Sequence, residues 1–118
     1  MGLHTALPIY KVTYDLALLA ATLTRNMPRD LKALYGRMLA AECAELVLQV
    51  YRANCARDKV PHLDALLERL QVAELLFRLA HDLHAISQKH YAAAIALTGN
   101  IGRQANGWRK SPASSPAA

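Results

Sequence analysis

Valine, isoleucine and threonine are scarce in this chain: 14 of 118 positions, against 42 for leucine and alanine together. β-branched residues favour strands, whereas leucine and alanine favour helix, so the balance points to an all-α fold. Long apolar runs are missing too. None approaches the roughly 20 residues of a membrane span. The start, Met1 to Tyr10, has no charged segment leading into an apolar one, so no export signal is read there. Cysteine is limited to Cys43 and Cys55. On one helix, 12 residues would separate them by about 18 Å, beyond disulfide reach. They read as two reduced core thiols of a cytoplasmic protein without a membrane partner.

The signatures of catalysis are also missing. There is no Gly-x-Ser-x-Gly, no cysteine with a plausible oriented histidine, and no glycine-rich phosphate loop after a strand. Helical bundles can hold two metal ions on Glu-x-x-His pairs from two helices. Here Glu42 is followed three residues on by Glu45, Glu68 by Gln71 and Glu74 by Phe77, so that template fails. Glu74 and Asp82 flank Arg78 at four-residue spacing and read as an ordinary helix ion-pair ladder. His81, His84 and His90 lack the further ligands a metal needs. The expectation is a non-enzyme without a cofactor.

What is present is helical periodicity. At 118 residues the chain has room for one domain and one core. Ile9, Val12, Leu16, Leu19 and Leu23 step by three and four, one apolar stripe of a helix from about Ile9 to Arg25. Pro28 ends it at Asn26-Met27 and suits the start of a second helix, from about Arg29 to Asn54. There Tyr35, Leu39, Cys43, Leu46 and Val50 form the core stripe, and Gly36 implies a close approach. A third helix starts between Asp58 and Pro61 and runs to about His84. It is apolar on two adjoining stripes, Leu63-Leu66-Leu70-Ala73-Phe77 and Val72-Leu76-Leu79-Leu83-Ile86. That is too broad for a surface helix, so it either sits mid-bundle or faces another subunit. Ser87 is an N-cap for a fourth helix to about Trp108, with Ala94, Thr98, Ile101, Ala105 and Trp108 turned to the core. Short connections between four helices predict an antiparallel up-down-up-down four-helix bundle over residues 1–110. The Ser-Pro-Ala stretch 111–118 is expected to be a disordered tail.

Charge is uneven. Residues 87–118 carry four cations and no acid, within a net charge of +5. A polyanionic partner and simple solubility both fit that balance. On the fourth helix Lys89, Ala93, Ala96, Asn100, Arg103, Gly107 and Lys110 step by four and three along one face, with Arg109 beside them. The second helix opens with Arg29, Lys32 and Arg37. A comb of cations like this can neutralise phosphates without reading bases; a solvated face is the plainer alternative. Trp108 could stack on a base, although its spacing suits the core.

The order of several short pieces resembles the accessory variability determinant (Avd) proteins of diversity-generating retroelements. These are Leu7-Pro8-Ile9-Tyr10-Lys11 with Tyr14-Asp15-Leu16, Met27-Pro28-Arg29-Asp30 with Lys32 and Gly36, Glu45-Leu46-Val47-Leu48, and Tyr51-Arg52-Ala53-Asn54. Ile86-Ser87-x-Lys89-x-Tyr91 and Ile101-Gly102-Arg103-Gln104 before Gly107-Trp108 complete the likeness. It spans about residues 7–111. The resemblance implies a bundle that assembles into a pentameric barrel, and partners in a reverse transcriptase, its template RNA and the cDNA made in mutagenic copying. It also implies that Arg29, Lys32, Arg78, Lys89, Arg103 and Lys110 stand at basic positions of the family. The chain departs from it at Glu74, where relatives often carry an arginine, and at Tyr35, where leucine is usual. The alternative is a self-assembling structural bundle of the ribosomal-RNA intervening-sequence type, without a polymerase partner.

Overall fold

The computed structural model describes residues 7–115. They form four long helices and one short turn, with no strand among the described residues. Helix α1 is Pro8–Arg25. Helix α2 runs in three consecutive pieces: Arg29–Leu31, a π-helical stretch Lys32–Gly36, and Arg37–Cys55. Helix α3 is Val60–Asp82 and α4 is Gln88–Lys110. Each packs chiefly on its two neighbours in the cycle α1–α2–α3–α4, giving the expected up-down bundle, a rod 52 Å long and about 20 Å across (21 × 19 Å).

Most of the stripe residues read from the sequence form the core, but in α1 Thr13 and Ala20 are buried where Val12 and Leu19 are half-buried, and Val72, Leu79 and Leu83 of the second α3 stripe are exposed. Leu16, Leu39, Cys43, Leu46, Val50, Leu63, Leu66, Phe77 and Ile101 are all fully buried. Each large aliphatic or aromatic side chain buried in this way contributes about 1.5–3 kcal/mol. Gly36 makes the close approach that its place inside a helix implies. A Cβ there would lie 2.8 Å from Thr24 Cγ2 and 3.0 Å from Met27 Sδ, and the Thr24 hydroxyl donates to the Gly36 carbonyl at 2.9 Å. Gly36, not Tyr35, takes the buried place there; Tyr35 is half-buried.

The ends of the helices are closed by contacts that periodicity does not reveal. After α3, His84 has φ +60°. Ala85 N–H donates to Ala80 O at 2.8 Å and His84 N–H to His81 O at 3.0 Å. This is the Schellman arrangement, which glycine favours at the left-handed position. A His84→Gly variant relieves the Cβ strain at some entropic cost, and should gain about 0.5–1 kcal/mol. Thermal unfolding should register this as a melting temperature higher by about 3 °C; an unchanged or lower value would contradict the strain.

At the other end of the rod, Lys59 Nζ caps α2 by donating to Ala53 O at 3.0 Å, Asn54 O at 3.0 Å and Ala56 O at 2.7 Å. A cation suits the negative end of the helix dipole. The Lys59 amide donates to Ser114 O at 2.8 Å. This corrects the expected tail of residues 111–118 in its first part. Pro112–Ser114 form a 3-10 turn, and Ser114 is buried, its hydroxyl donating to Arg109 O at 2.7 Å and Ser111 O at 2.9 Å. Composition misses this because two serine hydroxyls and a lysine amide, not apolar area, hold the turn. Residues 116–118 lie outside the described residues.

Candidate nucleic-acid interface

The α4 comb forms. Ser87 accepts the His90 amide at 3.1 Å and starts the helix, and burial of Ala94, Thr98, Ile101 and Ala105 fixes which face is turned inward. Lys89, Ala93, Ala96, Arg103, Gly107 and Lys110 are then exposed on the other side. Asn100 is half-buried and accepts from the Gln104 carboxamide at 2.9 Å. Lys89, Arg103 and Lys110 make no ion pair among the described residues. From Lys89 to Lys110 the comb extends about 32 Å.

Arg109 departs from this pattern. Its Nε lies 2.5 Å from Asp64 Oδ1 of α3, and that hydrogen bond, then the Asp64 charge, holds the guanidinium above its usual range. Its charge is locally matched, so it belongs to the α3–α4 contact more than to a free basic face. Arg78 also has a partner, Asp82 Oδ2 at 3.9 Å. The expected Glu74 rung of that ladder is missing. Glu74 accepts instead from the buried Thr98 hydroxyl of α4 at 3.1 Å. Arg78 and Glu74 share a groove between α3 and α4 with Leu75 and Tyr91.

Arg29, Lys32 and Arg37 come together. They line one depression of about 710 Å³ with Met27 and Ala33, and none makes an ion pair among the described residues. Because the helices alternate in direction, this depression and Lys89 lie at one end of the rod and Lys110 at the other. The eight sequence-predicted cations therefore form no single cluster. Three sit in one depression, three on the α4 face, and Arg78 and Arg109 are in ion pairs.

Of the histidines near the end of α3, His81 has structural partners. His81 places Nδ1 3.1 Å from Asp82 Oδ1 and Nε2 2.6 Å from Gln88 Oε1, with its ring stacked on Tyr91 at 4.6 Å. His84 and His90 are exposed. No group of three or more metal-ligating side chains occurs among the described residues. Trp108 is half-buried against the core and lines a small recess with Leu7, Pro8, Ile9 and Gln104. No helix among the described residues is long and apolar enough to cross a membrane.

The two thiols differ, which corrects the reading of both as core residues. Cys43 is fully buried, whereas Cys55, at the end of α2, is exposed. Burial, then the neighbouring Glu42 charge, pushes the Cys43 thiol up to about 12. At pH 8 only about one Cys43 in ten thousand would be thiolate, the reactive form. Iodoacetamide at pH 8 should therefore add once to the native protein, at Cys55, and twice after unfolding. Rapid native labelling of Cys43, read by peptide mass spectrometry, would contradict this.

Sequence reading misses the π-helical stretch, the Lys59 cap and the Asp64 partner of Arg109. Gly36 inside a helix is the only signal for the first; the other two depend on residues that local spacing does not connect. A family model described as bAvd-like matches residues 8–112. No curated protein and no solved structure matches the chain.

Proposed function

The chain belongs to the bAvd-like family, whose model covers residues 8–112, and from that premise we propose that it is a non-catalytic accessory subunit of a diversity-generating retroelement. In this reading it binds the retroelement's reverse transcriptase and holds template RNA and nascent cDNA on the basic surface of a five-membered ring. The observation that carries the reading is the family match along nearly the whole bundle. Two features of the surface support its finer parts. Six cations, Arg29, Lys32, Arg37, Lys89, Arg103 and Lys110, stand without ion-pair partners among the described residues, as sequence-independent phosphate binding requires. Large apolar side chains on α2 and α3 stay exposed in the single chain, among them Leu34, Met38, Leu75 and Leu79, as a subunit interface requires.

The experiment is reconstitution with the reverse transcriptase and template RNA of the retroelement that this reading assigns to the chain. The expected result is cDNA synthesis that depends on the chain, together with co-purification of the two proteins. Equal cDNA yield with and without the chain, from a protein that still assembles, would favour a purely structural bundle instead.

A further inference from the structure

The depression formed by Arg29, Lys32 and Arg37 depends on the π-helical turn between them. In a regular α-helix successive residues turn by about 100°, so Lys32 and Arg37, five apart, would point about 140° away from each other. In α2 the Arg37 amide instead donates to the carbonyl of Lys32, five residues back. That turn takes up one extra residue, so the residues after it lag by about one position of a regular helix. The lag brings Arg37 back to the side of the helix that carries Arg29 and Lys32. All three cations then share one narrow face, and all three line the same depression.

The turn has a visible restraint. The Thr24 hydroxyl of α1 donates to the Gly36 carbonyl at 2.9 Å, at the residue where the π stretch ends. Only a residue without a Cβ fits there, because Thr24 and Met27 lie within 3.0 Å of where that atom would be. α1 therefore grips α2 at the point where its register changes. Arg29 and Arg37 are exposed and Lys32 half-buried, so the three charges reach solvent around one concavity. A concave group of three unpaired cations focuses potential on an anion far better than the same charges spread along a rod.

We propose that the π-helical turn is a register device. It gathers Arg29, Lys32 and Arg37 into one phosphate-binding site for a nucleic-acid strand, with Thr24 and Gly36 as its positioning residues. The proposal rests on the reading of the chain as a nucleic-acid-binding protein and names where on the bundle a strand is anchored.

The probe is a fluorescent oligouridylate, titrated at several salt concentrations with the full chain. In R37A/A44R the net charge is kept but one cation moves two turns along α2. Affinity should fall about fourfold per site at roughly 0.15 M salt, and the log–log salt slope by about 0.7, the loss of one single-strand phosphate contact. Deleting Ala33 removes the extra residue, so a regular helix then keeps the three cations on the same face, and binding should stay within about twofold of the parent. Thr24→Val should weaken binding in the parent but not in the Ala33 deletion, where no π turn needs holding; a general loss of stability would weaken both. Parent-like affinity in R37A/A44R would overturn the site. An equal effect of Thr24→Val in both backgrounds, or none in either, would overturn the register device. Should the deletion fail to fold, as judged by circular dichroism, R37A/A44R still decides the site, and parent-like binding by Thr24→Val still overturns the register device. If the parent itself does not bind the probe, the nucleic-acid reading falls and the site with it. If the parent binds and only α4 substitutions weaken it, the reading stands and this site does not.

Discussion

A Leu75→Glu, Leu79→Glu variant is expected to run as a single chain of 13.0 kDa in light scattering, where the parent is expected to run as the proposed ring of five such chains. The reason lies in how α3 divides its apolar residues. Leu63, Leu66, Leu70, Ala73 and Phe77 are buried inside the single bundle, but Val72, Leu75, Leu79 and Leu83 remain 41%, 67%, 38% and 38% exposed. Leu34 and Met38 of α2, 63% and 55% exposed, lie toward the same end of the rod, because α2 and α3 run antiparallel. Gln49 Oε1, buried and without a partner among the described residues, opens beside Glu68 and Val72 on this α2–α3 face. A monomer would leave a large apolar patch in water. Covering each leucine contributes about 1.5–3 kcal/mol, and replacing it by Glu both forfeits that and places a charge in the contact. Neither side chain belongs to the bundle core, so helicity by circular dichroism should be unchanged. A variant that keeps the parent mass would move the interface elsewhere; a parent of single-chain mass at micromolar concentration would remove the ring.

The core and the α4 face are legible in the sequence because both are repeats along one helix, and a period of about 3.6 residues needs no partner to be seen. That spacing assigns Ala94, Thr98, Ile101 and Ala105 inward and Lys89, Arg103 and Lys110 outward, and each is found there. The excess apolar width of α3 is legible as well, but not its members: of the second stripe Val72, Leu79 and Leu83 are exposed, Leu76 is half-buried and Ile86, beyond the end of α3, is buried, while Leu75, outside the stripe, is 67% exposed. The features that are not legible join distant parts of the chain. Asp64 meets Arg109 across 45 residues and Thr98 takes Glu74 across 24, and the second pairing removes a partner that local spacing proposes for Arg78. Four-residue spacing from Leu39 places Tyr35 in the core. Three-residue spacing fits Gly36 equally well, and it is Gly36 that is buried, against Thr24 and Met27 of the preceding segment. Cys55 reads inward with Cys43, but it is the last residue of α2 and exposed. The same logic explains Ser114, whose burial depends on Lys59 and Arg109 and not on any apolar pattern.

The second large effect expected is on RNA. Lys89→Glu, Arg103→Glu and Lys110→Glu together should leave the bundle folded, because all three side chains are exposed and make no ion pair among the described residues. For a single strand each lost phosphate contact lowers the log–log salt slope by about 0.7, so the triple variant should lose about 2. At roughly 0.15 M salt, loss of three contacts corresponds to about 60-fold in affinity. Reversal in place of removal, repeated around the proposed ring, should carry the deficit past about 100-fold. Synthesis of cDNA with the reverse transcriptase should fall with it. The ion pair of Arg109 provides an internal comparison. Arg103 and Arg109 both lie on the exposed side of α4, but Arg109 is engaged by Asp64 at 2.5 Å and part of its field is already cancelled. Arg103→Ala should therefore weaken RNA binding more than Arg109→Ala, although both remove one positive charge. Equal losses from the two single variants would mean that net charge alone attracts the RNA. Full affinity in the triple variant at physiological salt would make the α4 comb a solubility face and shift the search for the bound strand to the depression at the start of α2 and the groove around Arg78.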